Sequence, residues 1–132
     1  MSRDLFLDAD RASGEFVMEL TADDAAEARR SGVVGAPHTA YAQPSAVISM
    51  RPFELTSISI EDAGNDAEYS ALNLVKGCMV AVTVYASEIL GRAEPYPTAV
   101  RVPPRQNLSI TVLHPEAMKI RCTWRHVEGS FE

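Results

Sequence analysis

Cysteine is scarce in this chain, with two in 132 residues, Cys78 and Cys122. Neither has a second cysteine nearby, so a zinc ribbon and a redox CxxC pair are excluded. No apolar run reaches the length that a helix needs to cross a bilayer. The first residues, Met1-Ser2-Arg3-Asp4-Leu5-Phe6-Leu7-Asp8, carry acids where a secretion signal needs an apolar stretch. The expected location is the cytoplasm, or a virus particle assembled there. There is no GxSxG turn, no GxGxxG after a strand and no phosphate-cradling P-loop. The three histidines, His38, His114 and His126, show no HxH, HExxH or HxxxH spacing. Positive charge is also short: 12 Lys and Arg against 18 Asp and Glu leave a net charge of −6. An acidic chain whose bases have no interleaved aromatic stacking platform is a poor fit to nucleic acid.

What is present is β-strand alternation. Leu108, Ile110 and Val112 alternate with Asn107, Ser109 and Thr111. Met118, Ile120, Cys122 and Trp124 alternate with Lys119, Arg121, Thr123 and Arg125. Side chains in a strand point to opposite faces in turn, so each run has one dry and one polar face. With His114-Pro115-Glu116-Ala117 between them, the two runs read as one amphipathic hairpin. Cys78, Val80, Val82 and Val84 read as the cleanest buried strand, and both cysteines as buried thiols on the apolar parity. A disulfide between them requires that their strands pair.

Further upstream, residues 1–14 read as an extended arm anchored by Leu5 and Phe6, and residues 15–132 as one domain. A strand is expected near 15–20, then a short surface helix near residues 22–31. Thr21 caps that helix in a reciprocal box with Asp24, and its alanine-rich face buries little. From Val33 to Pro44 the chain is loop. The apolar parity then shifts twice, from Ile48 and Met50 to Phe53 and Leu55, and back at Ile58 and Ile60. A one-residue shift is the mark of a bulge, and two predict a bent strand serving two sheets. About eight short strands separated by Gly/Pro turns predict an all-β, two-sheet, jelly-roll-like β-sandwich.

Chemistry is sparse. Asp8, Asp10 and Glu19 match three positions of a calcium loop, but Ala12 and Ser13 break it and a strand follows where a helix is needed. No metal site, cofactor or catalytic residue is expected. Residues 1–68 hold thirteen acids and five bases, a net of −8, whereas residues 69–132 carry +2. Such asymmetry either complements itself within the fold or joins one subunit's acidic end to the next subunit's basic face. Lys119, Arg121 and Arg125 share one face of the last strand, with Arg101 and Arg105 close to its neighbour. Tyr41 and Tyr96 stand in proline-stiffened loops of the kind that anchor interfaces. With Leu5 and Phe6, these residues form the expected protein-docking surface. The function read from sequence is a non-catalytic assembly subunit that docks to copies of itself or to a larger particle. Phage decoration, vertex and head–tail proteins have this general character. The alternative is a small-ligand-binding or hydrolytic β-barrel using His38, His114 or His126.

Overall fold

A computed structural model describes residues 4–30, 41–42 and 45–128. Among these, ten strands form two sheets. The strands are β1 (Leu5–Phe6), β2 (Ser13–Leu20), β3 (Tyr41–Ala42), β4 (Ala46–Ile48), β5 (Phe53–Glu61), β6 (Ala71–Lys76), β7 (Met79–Tyr85), β8 (Tyr96–Val102), β9 (Leu108–Leu113) and β10 (Met118–His126). Helix α1 covers Ala22–Arg30, and a single-turn helix α2 covers Ala86–Ile89. One sheet runs β1-β4-β9-β6-β7, with β3 also on β9; the other runs β2-β10-β5-β8.

Without the two-residue strands β1 and β3, eight strands remain, joined by antiparallel pairing alone. Renumbered in chain order they run 1-8-3-6 in one sheet and 2-7-4-5 in the other, which is jelly-roll connectivity. The expected all-β sandwich is therefore present. Its core lies between the sheets, with Val47, Leu72, Leu74, Leu108, Ile110 and Val112 facing Phe53, Leu55, Ile58, Val102, Ile120 and Cys122, all at 0 % exposure.

The closing hairpin is not there. β9 lies in one sheet and β10 in the other, so the two apolar rows face each other across the core instead of sharing a sheet. Alternation tells which side chains share a face, but a row facing across the sandwich and a row beside its neighbour alternate identically. The connection His114–Ala117 spans the roughly 10 Å between packed sheets, not the ~4.8 Å between paired strands. Side contacts hold it: Ser70 Oγ donates to the His114 carbonyl (2.6 Å), the Gly64 N–H to Ala117 O (2.7 Å), and Arg29 pairs with Glu116 (3.3 Å).

Of the two expected parity shifts only the second is real: Val47 (0 %) and Ser49 (2 %) are buried while Met50 is 61 % exposed, so the buried parity is already odd before Phe53 and Leu55 and changes only at Ile58. At Ser49–Pro52 the chain leaves β4 in one sheet and enters β5 in the other. Thr56 is an extra residue in β5, since Ser57 pairs with Thr123 and Leu55 with Trp124. A second bulge was hidden in the sequence. Ala81 is skipped in the β6–β7 ladder, where Leu74 pairs with Val82 and Val75 with Val80. Beyond it Val80 turns to the outer face, and Cys78 sits in the β6–β7 turn. The expected buried strand is therefore mostly exposed: only Val84 is buried, at 2 %. Both cysteines are free thiols, Cys78 exposed and Cys122 buried. A 3-10 turn, Ala67–Tyr69, leads into β6.

The capping box of α1 forms as read, Asp24 N–H donating to Thr21 Oγ1 (3.0 Å) and Thr21 N–H to the Asp24 carboxylate (3.3 Å). Ala25 is the buried residue of α1. The N-terminal arm is woven into the sandwich. β1 pairs in parallel with β4, and Leu5 and Leu7 pack against the core.

Candidate functional site

The outer face of the four-stranded sheet carries the basic row, and the neighbouring strands answer it with acids. Lys119 lies 3.4 Å from Asp62. Arg121 bridges Glu15 on β2 (2.7 Å) and Glu61 on β5 (2.9 Å). Arg125 and Arg101 both reach Glu54, at 2.8 and 3.3 Å. Between these rungs Thr123 Oγ1 joins Thr56 Oγ1 and Ser57 Oγ, each at 2.6 Å. Burial pushes the Glu54 carboxyl up, but hydrogen bonds and charge from Arg125 and Arg101 outweigh it and hold the group below the ordinary glutamate value. The Arg121 hydrogen bond holds Glu61 below that value too, and Glu61 in turn raises Arg121. The charge asymmetry of the two halves is thus met inside the fold: acidic β2 and β5 flank basic β10.

The other expected positions are scattered. Arg105 sits in the β8–β9 turn with φ 65°, its N–H donating to Ser49 O (2.8 Å). Tyr96 opens β8, its hydroxyl donating to Glu88 (3.3 Å) and its ring under the Arg92 guanidinium. Tyr41 opens β3, paired with Leu113. Leu5 packs against the core, while Phe6 beside it is 74 % exposed. His38 and most of residues 33–44 lie outside the described residues; Tyr41–Ala42, expected in a loop, instead form strand β3, because Leu113 and Val112 of β9 offer a free edge to pair with.

His126 is set in a defined network. Its Nδ1 lies 2.6 Å from the Arg11 carbonyl, its Nε2 3.1 Å from Ser49 Oγ, and its ring meets Trp124 edge-on. Serine, imidazole and an orienting carbonyl have the order of an activated nucleophile. However, Ser49 is 2 % exposed and its oxygen also accepts the Arg51 N–H (3.2 Å). The group ties three chain segments together where a substrate has no approach to the hydroxyl. His114, at φ 51°, lies in the connection before β10, which places the two histidines at opposite ends of that strand. Among the described residues, no three His, Cys, Asp or Glu side chains lie close enough to share a metal ion.

The feature that sequence reasoning missed is the edge formed by β7. Met79, Val80, Val82 and Tyr85 are 72, 54, 37 and 57 % exposed, and Met79–Tyr85 contains no charged residue and no proline. A bare strand edge offers unpaired N–H and C=O groups to any incoming strand, and proteins usually protect it with charge or proline. The other two long edge strands of the described residues are protected in this way: β8 carries Pro97 and Arg101, and β2 carries Glu15 and Glu19. Between β7 and β8 runs a shallow groove of about 530 Å³, walled by Val82, Val84, Pro97 and Val100 with Lys76 and Arg101 among its lining. The only sequence signal was the absence of charge over 77–85, which a core strand shares.

Among the described residues these features define the class: an eight-stranded jelly roll with a self-neutralised face and one unprotected apolar edge. The chain matches no known family model, no curated protein and no solved structure.

Proposed function

We propose that this protein is a non-catalytic assembly subunit that docks to copies of itself or to a larger particle, and that β7 is the docking edge. The observation that carries this reading is the seven-residue edge strand without charge or proline, with four large apolar side chains in solvent. Exposed apolar patches of this kind mark interaction sites, and strand addition at a free edge supplies both hydrogen bonds and apolar contact. The architecture supports it by analogy, since jelly rolls serve as capsid domains as well as lectin domains and cupins. A phage accessory protein (decoration, vertex or head–tail) remains the particle role that size and fold suggest.

The ion-pair ladder changes how such docking responds to salt. Because Lys119, Arg121, Arg125 and Arg101 are paired within the chain, docking does not draw on them. Copies carrying −6 each repel one another, and salt screens that repulsion. Light scattering on a sizing column, at low and high salt, is the test. A defined oligomer that holds or tightens as salt rises is expected. A monomer at every salt and concentration overturns self-docking, and an oligomer that salt dissolves moves the contact from β7 to the charged faces.

A further inference from the structure

Resting on that reading, we infer that the occupant of the β7 edge is β7 of a second copy, running antiparallel about a two-fold axis, so that two six-stranded sheets become one. The absence of charge along β7 selects the mate. A strand laid against Met79–Tyr85 is desolvated along its length, so a charged partner strand loses hydration and finds no opposite charge on β7. Among the long edge strands of the described residues, β8 brings Arg101 and a ladder-breaking Pro97, and β2 brings Glu15 and Glu19. β7 is the one uncharged strand, and under two-fold symmetry it complements itself.

The geometry also picks a centre. The bulge at Ala81 disturbs one half of β7, which leaves Val82–Tyr85 as the regular stretch. A two-fold axis through Thr83 sets Thr83 against Thr83 on the outer face and Val82 against Val84 on the inner face. Threonine pairs and β-branched apolar pairs are favourable cross-strand neighbours. The same arrangement brings the partner's apolar side chains beside the groove between β7 and β8. At the far end α2 turns toward the core, with Ala86 and Ile89 buried.

Cys78 provides the test. It sits exposed at the β6–β7 turn, whereas Cys122 is 0 % exposed, so a nitroxide reagent labels one site on the folded full-length chain. Cys78 lies five residues from the centre on each strand, so the two labels sit at opposite ends, about 25–35 Å apart at ~3.3 Å per residue. The expected result is a two-chain species by sedimentation, a dipolar distance in that window, and dimerisation weakened about tenfold or more by Thr83→Lys, which sets two like charges directly opposite each other. Ala81→Lys is the second variant, should the first disturb folding, with Trp124 fluorescence confirming an intact core in each. Several outcomes overturn the pairing while leaving a docking subunit in place: a larger ring, a label distance outside the window, or a dimer indifferent to both lysines. A wild-type monomer at every concentration overturns the pairing and self-docking together.

Discussion

Glu54 is the buried carboxylate of the outer-face charge network, shared by two arginines. It is 7 % exposed and accepts from both Arg101 and Arg125. Because its folded-state pKa lies below the ordinary 4.5, its stabilisation is fully present above that value and is lost as pH falls through the folded value. Glu61 acts in the same direction. Urea denaturation midpoints should therefore hold from neutral pH down to about 5 and drop below it. Glu54→Gln should lower stability at pH 7 by roughly 1–2 kcal/mol and flatten the acid limb. An unchanged limb in that variant would assign the acid loss to other carboxylates. At Ser49, replacement by Ala takes a partner from His126 Nε2 and from the Arg51 N–H in a nearly water-free place. A loss of about 1–3 kcal/mol in a thermal or urea melt is expected. A thiol reagent should titrate one cysteine per folded chain, Cys78, and reach Cys122 only on unfolding, because burial raises that thiol and hides it.

The strands depend on their irregularities as much as on their alternation. Thr56 is the extra residue that lets Phe53 and Leu55 point into the same core as Ile58, all three at 0 % exposure. Deleting Thr56 moves one of these sets to the solvent side, and circular dichroism of that variant should show a chain that no longer folds cooperatively. This bulge was legible because large apolar residues stand on both sides of it. The bulge at Ala81 was not: Cys78, Val80, Val82 and Val84 keep an unbroken parity in sequence, and the register shift is visible only against β6. The arm illustrates a similar gap. Leu5-Phe6-Leu7 was readable as an anchor, but its parallel pairing with β4 and the Arg51–Ala9 and His126–Arg11 contacts join residues about 40 to 115 positions apart. Removing residues 1–12 should lower stability by roughly 2–4 kcal/mol, read from denaturant midpoints, because two apolar side chains and several hydrogen bonds go with it.

For the whole molecule, burial periodicity sufficed to establish the class. Strand count and Gly/Pro spacing left a two-sheet sandwich as the economical solution, whereas the change of sheet between Ile48 and Phe53 is seen only in the folded chain, since Met50, counted with the core, is exposed. The local sequence also carried the α1 capping box and the Thr56 bulge, since each depends on residues within a few positions of one another. Three further things required the folded chain: the separation of β9 and β10 into opposite sheets, the exposure of β7, and the neutralisation of the basic row. Each is a question of which strand lies beside which. An amphipathic strand in a central position and one at an edge can share the same pattern of residues, so their difference lies in neighbours brought from distant parts of the chain. The basic row shows this directly, because Lys119, Arg121 and Arg125 look unopposed until β2 and β5, from the acidic half, are laid on either side of them.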